Sequence, residues 1–362
     1  MKKNLLLLFA LVALFFASCS DSDNPIDKDK TKNEIENSLL ILSQGSFNGN
    51  NSSLALYNFD NDELDDDFFN TTNERGLGDT GNDMIRHGDK IYIVVNASST
   101  VEVISALNGK SLKQISFKND AGIASQPRFA VGHADKVYVT SFDNTVSRID
   151  TTSLSVDAII EVGRNPEGIV ATNNKLYVAN SGGLDFGNPD NTVSVIDIAT
   201  FKEEKKIEIN ENPFRLYADS QGDIYVATRD VYDADFNLVA GGTFQRIKAN
   251  SHEVETIVGI NPSGEFTIIN DKAYIVINDY EDTQVAVYDC ISEKVISENF
   301  ITDGASFGAP LSVSVDATSG DVFLTETDYK SPGNVHCFGK DGKQKYKLEA
   351  VGINPYVVSH IR

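Results

Sequence analysis

One phrase recurs six times along the chain: KIYIVVN at 90–96, KVYVTSF at 136–142, KLYVANS at 175–181, DIYVATR at 223–229, KAYIVIN at 272–278 and DVFLTET at 321–327. Each copy is short and alternates apolar residues around an aromatic at its third position, the pattern of a strand and not of a helix. The aromatics Tyr92, Tyr138, Tyr177, Tyr225, Tyr274 and Phe323 lie 46, 39, 48, 49 and 49 residues apart. Around each copy the order is a first apolar strand, a tight turn, the aromatic strand, a loop, a strand ending near Asp, and a fourth strand. Four-stranded units with a period of about 46 residues are the blades of a β-propeller. The expected class is therefore all-β.

Residues 38–362 have room for seven such units, yet only six complete ones exist. The seventh must be shared between the chain ends. NPYVVSHI at 354–361 reads as its first strand, and SLLILSQ at 38–44, SLALYNF at 53–59 and LDDDFFN at 64–70 as the other three. Pairing the ends in one blade closes the ring and hides two open strand edges. Asp60, Asp62, Glu63, Asp65, Asp66 and Asp67 gather at the last of these strands. They either keep an outer edge from pairing with another molecule or form an acidic binding patch. Units open on Asn165-Pro166, Asn212-Pro213, Asn261-Pro262 and Asn354-Pro355, with Gln126-Pro127 in the same place. Proline has no N–H for a ladder, so it suits a strand entry.

In a four-stranded blade the second-to-third loop and the entry to the next blade emerge on one face, and the two remaining turns on the other. The latter are tight: HGDK at 87, HADK at 133, TNNK at 172 and INDK at 269. His87 and His133 sit in these turns, away from any common pocket. The second-to-third loops are uneven, with three long ones, SGGLDFGNPDN at 181–191, DVYDADFNLVAGG at 230–242 and DYKSPGN at 328–334. Turn closure needs no such length, so the extra residues build something on one face. That face should gather Phe47, Phe186, Tyr232, Phe236, Tyr280, Phe307 and Tyr329, with Phe129 and Tyr356 near strand entries, and Arg128, Arg215, Arg229 and Asn48 beside them. Converging aromatics suit a large, flat ligand.

Catalytic patterns fail on context. Gly304-Ala305-Ser306-Phe307-Gly308 spells G-x-S-x-G, but the following APLSVSVD reads as a strand where a nucleophile elbow needs a helix. Asp233, Asp235 and Asn237 supply the first oxygens of a calcium loop without its Gly or its final Glu, so a structural Ca²⁺ stays open while no metal site is assigned. The expectation is a binding protein with no required cofactor and no catalytic residues. With 31 Lys plus Arg against 53 Asp plus Glu, the formal charge of -22 repels a phosphate backbone and excludes nucleic acid as a partner. Cys290 and Cys337 have no metal-ligand spacing and read as buried thiols.

The N-terminus places two lysines before an apolar run, Leu5–Phe16, that ends at Ala17-Ser18-Cys19. The run is too short to span a membrane and stay there. It resembles the signal of bacterial lipoproteins, in which cleavage leaves Cys19 as the acylated first residue. Domains are then expected at 1–18 (signal peptide), 19–37 (acylated Cys and a flexible, apolar-poor tether) and 38–362 (the propeller). Ser20-Asp21-Ser22-Asp23 is similar to the acidic export signal of Bacteroides-type surface lipoproteins, which implies an outer-membrane protein held by its lipid and facing outward.

KLYVAN at 175–180 and TVSVID at 192–197 resemble the YVTN-type propeller family. On a surface lipoprotein, VANSGGLDFGNPDNTVSVID at 178–197 also resembles the BtuG-type cobalamin-binding lipoproteins of Bacteroides. That resemblance implies capture of cobalamin (vitamin B12) or a related corrinoid, and delivery to a TonB-dependent outer-membrane transporter of the BtuB type. The same fold leaves two other classes open: an enzyme of the propeller lactonase or lyase kind, and a scaffold gripping a glycan or a protein.

Overall fold

The computed structural model describes residues 35–119, 121–185, 187–279 and 282–362. Cys19, the expected signal peptide and nearly all of the tether lie outside the described residues, as do Phe186 and Tyr280. The propeller has seven four-stranded antiparallel sheets. Blades 1 to 6 span 81–116, 127–161, 166–208, 213–256, 266–297 and 309–353 in chain order. Blade 7 joins the C-terminal strand Pro355–Ile361 to Ser38–Ser43, Ser53–Asn58 and Glu63–Asp65.

Ring closure is antiparallel, with Leu39 opposite His360, Leu40 opposite Ser359 and Ile41 opposite Val358. Leu39, Leu40, Ile41 and Leu42 are fully buried, because their strand is sheathed by a neighbour on both edges and by blades on both faces. The recurring aromatics fill the wedge between one blade and the next. Tyr92 packs with Val137, Val139 and Ile149 of blade 2, and Tyr225 with Phe266, Ile268 and Tyr288 of blade 5. Each buried ring contributes about 1.5–3 kcal/mol of apolar transfer free energy, which no single blade recovers alone.

The tight turns follow from local chemistry. Asn173 and Asn174 both adopt positive φ (49° and 58°), as do Asn270 and Asp271 (50° and 58°), the conformation of a two-residue hairpin turn that Asn and Asp tolerate. Pro127, Pro166, Pro213 and Pro355 begin first strands as expected. Pro262 does not: the first strand of blade 5 starts only at Phe266.

Two further expectations need correction. The last strand of blade 7 ends at Asp65, and Phe68–Asn73 forms a short helix. Phe69 is buried and the Phe68 ring lies against Gly109 of blade 1, where a Cβ would stand 2.4 Å from its Cε1. Adjacent strand residues point to opposite faces, so only a helical turn lets both rings face the body. Likewise, DYKSPGN is not a long loop, because the third strand of blade 6 begins at Pro332. Cys290 and Cys337 are buried and unpaired, and burial pushes their thiols up to about 12 and about 11.

Candidate functional site

Five of the seven blade entries are tied to the end of their own second strand. The residues just before the first strands, Thr80, Gln126, Asn165, Asn212 and Asn354, all take positive φ, between 43° and 62°. Their carbonyls accept the N–H groups of Asn96, Phe142, Ser181, Arg229 and Gln44, at 2.7–3.4 Å. These bonds put entries and second-to-third loops on one face, as the alternation of strand direction requires.

On that face two long loops rise from blades 3 and 4. The first is pinned by Arg164, whose guanidinium reaches Asp190 Oδ1 at 2.7 Å, Asp185 Oδ2 at 2.9 Å and the Asn188 carbonyl at 3.0 Å. The second folds on itself as a small hairpin, Val231–Tyr232 against Leu238–Ala240. Gly242 N–H donates to Asp230 Oδ1 at 2.9 Å, closing its base. The loops meet where Gly187 approaches the backbone of Asp233 and Ala234.

Together with the blade entries they enclose a mouth of about 1290 Å³. Sites for drug-sized ligands usually measure roughly 300–1,000 Å³, so this one suits something larger. Its aromatic walls are Phe142, Tyr232, Phe307 and Tyr329. Arg128, Glu167, Arg229 and Asp230 supply charge, and Gly183, Gly241 and Gly242 leave backbone accessible.

Of the residues expected at this face, Arg128, Arg229, Tyr232, Phe307 and Tyr329 line the mouth. Phe47 and Phe236 stand on loop tips, 71% and 75% exposed, and with Asn48 they lie outside its lining. Phe129, Arg215 and Tyr356 belong deeper, around a channel cavity of about 240 Å³. The reason is strand alternation and position: Phe129 follows Arg128 on the same first strand, so when one side chain reaches the mouth its neighbour cannot. Phe142 and Glu167 were not expected. Phe142 closes the phrase KVYVTSF and reads as a strand residue, yet it is the first residue of the loop.

Beneath the mouth the first strands carry a belt of matched charges. Arg128 Nε meets Glu167 Oε2 at 2.7 Å, and its Nη1 donates to Asn82 Oδ1. Arg215 Nε meets Glu265 Oε2 at 3.1 Å, and the Tyr356 O–H donates to the other oxygen of that carboxylate. The Arg215 guanidinium lies 4.1 Å over the Phe129 ring. Burial raises the Asp83 carboxyl above its usual range, with Arg215 and the Ala130 N–H pulling the other way. Burial also raises the Tyr217 and Tyr356 phenols. The belt is internally satisfied and makes a rigid floor.

Ser306 is followed by the strand Ala309–Val315 and not by a helix, so the elbow geometry is missing. Asp233 Oδ1 accepts the N–H groups of Asp235 and Asn237, at 2.9 Å each, which is loop-internal bonding. Among the described residues, no group of three or more His, Cys, Asp or Glu is arranged to hold a metal ion. His87 and His133 lie on the opposite face, where His87 Nε2 is 2.8 Å from the Ala134 carbonyl.

In fold the chain is similar to a quinonprotein alcohol dehydrogenase-like protein from Bacteroides thetaiotaomicron, with a TM-score of 0.63 and 15% identity over 91% of this chain and 79% of that one. It is also similar to the hydrazine synthase of Kuenenia stuttgartiensis, with a TM-score of 0.55 and 15% identity over 70% of this chain and 74% of that one. At such identities these likenesses speak for the fold alone. No curated protein matches the sequence. Residues 37–258, more than half of the chain, match the family described as a domain of unknown function, DUF5074, and the chain belongs to that family.

Proposed function

We propose that the protein is a lipid-anchored lipoprotein of the outer membrane that binds cobalamin or a related corrinoid in the propeller mouth and passes it to a TonB-dependent transporter of the BtuB type. The reading rests on one observation, a mouth of about 1290 Å³ walled by Phe142, Tyr232, Phe307 and Tyr329. A corrin is broad, apolar on its faces and fringed with amides. Ring faces pack against it while Arg128 and the backbone groups bond the amides. Binding of this kind requires no residue chemistry, and a closed ring with an internally bonded floor keeps the ordering cost low. The protein is accordingly read as a carrier and not as an enzyme, anchored through Cys19 and facing the exterior.

The test is calorimetric titration of the purified propeller with cyanocobalamin, followed by absorbance. A 1:1 isotherm with a shift of the corrin bands is expected, and the protein should turn red when incubated with a corrinoid and re-purified. No heat and no spectral change at micromolar concentrations would overturn the reading.

A further inference from the structure

Seven arginines, Arg75, Arg128, Arg148, Arg164, Arg215, Arg246 and Arg362, form ion pairs with carboxylates. Arg86, on the turn face, donates to the carbonyls of Gly88 and Arg362. Arg229 differs from all of these. It lines the mouth and has neither an ion pair nor a side-chain hydrogen bond among the described residues. In a chain with a formal charge of -22, an unspent guanidinium facing a cavity is a notable exception.

It is also held in place. The guanidinium lies 3.2 Å from the centroid of the Phe214 ring, which is itself buried and edge-on to Phe129. On the near side stands Gly264, at φ 99°, where a Cβ would come within 2.8 Å of Arg229 Cγ and 3.4 Å of its Nε. Stacking on an aromatic face fixes the plane of the group while leaving its N–H edge directed outward in that plane. Of the other carboxylates lining the mouth, Glu167 pairs with Arg128 and Asp185 with Arg164, while the Asp230 oxygens accept from Gly242 N–H and the Tyr232 O–H and face no cationic partner among the described residues. A flat guanidinium with free donors is the side chain best matched to a phosphate or carboxylate.

We infer that Arg229 is an anion-recognising residue of the mouth, where an oxyanion of the ligand, a phosphodiester, phosphate or carboxylate, docks on its N–H edge. The inference deepens the corrinoid reading and rests on it, because cobalamin carries a phosphodiester in its nucleotide loop and cobinamide has none.

Wild type should bind cyanocobalamin at least about tenfold more tightly than dicyanocobinamide, since a hydrogen bond to a charged group contributes about 1.5–3 kcal/mol. Arg229→Gln should erase that gap by weakening cyanocobalamin while leaving cobinamide unchanged, and Arg229→Lys should recover only part of it. Equal affinities in wild type, or a loss in Arg229→Gln that is the same for both ligands, would overturn the inference and leave the corrinoid reading standing. A second readout needs no corrinoid: the Arg229 Nε–H resonance, assigned by its absence from Arg229→Gln, should shift when inorganic phosphate is added. If neither corrinoid binds but that resonance shifts, the corrinoid reading fails and the anion site stands. If it does not shift at saturating phosphate, the anion site falls.

Discussion

Arg215 lies over the Phe129 ring while its Nε reaches Glu265, and both side chains are about one-tenth exposed, so removing either charge leaves the other largely buried without its partner. Glu265→Gln or Arg215→Met should therefore lower stability by about 3–5 kcal/mol, read as a fall in the urea midpoint. The double variant Arg215→Met/Glu265→Leu should recover part of the loss, because neither member of the pair is left charged, while Asp83 still loses the Arg215 charge and Tyr356 its acceptor. At the mouth, Tyr232→Ala, Phe307→Ala and Tyr329→Ala should each weaken corrinoid binding about fivefold to tenfold, the worth of one stacked ring face. Phe47→Ala and Phe236→Ala should leave it unchanged, since both rings stand outside the lining. Titration calorimetry separates the two sets. The residue types of the site were legible as loop aromatics and arginines. Which of them turn inward was not, because that depends on strand alternation and on the fold of each loop.

The two long loops show how an element acquires a rigidity that its composition does not announce. SGGLDFGNPDN looks like a flexible linker, yet Arg164, outside the loop, holds three points along it. Arg164→Ala should speed amide exchange across 182–190 and weaken corrinoid binding several-fold. Global stability should change by only about 1 kcal/mol, since both ion pairs of Arg164 are partly exposed to solvent. The loop of blade 4 achieves the same end with a hairpin of its own, Val231–Tyr232 on Leu238–Ala240. Neither device is visible as a pattern: one depends on a residue placed before the blade, the other on strands of two and three residues. The helix Phe68–Asn73 escaped for a related reason, since adjacent phenylalanines fit a strand pattern equally well until Gly109 and the core claim both rings.

For the molecule as a whole, stability rests on the latch of blade 7. Removing 355–362 would leave Leu39–Leu42 with an open edge, and the expected result is aggregation and loss of a cooperative unfolding transition. The latch carries its own pH dependence. His360 Nδ1 lies 2.7 Å from Asp316 Oδ2, and Arg362 donates to the same oxygen. Burial works to raise the Asp316 carboxyl, but the Thr318 N–H, His360 and Arg362 outweigh it and hold it below the usual range. The folded state thus binds that proton less tightly than the unfolded chain does. The resulting stabilisation is complete above the unfolded value, near 4, and fades as pH falls through the folded one. Asp316→Asn should lower the urea midpoint at pH 7, with the difference from wild type shrinking below about pH 4. Substituting Cys19→Ser should move the protein from the membrane to the soluble fraction and abolish acyl labelling. From sequence alone came the seven blades, their closure through the chain ends and the face that carries the long loops, because a period near 46 and strict strand alternation permit little else. Tertiary structure alone decided that Phe129, Arg215 and Tyr356 form a buried floor and that Arg229, stacked on Phe214, has no ion pair among the described residues, because burial and charge pairing are settled between blades that lie far apart along the chain.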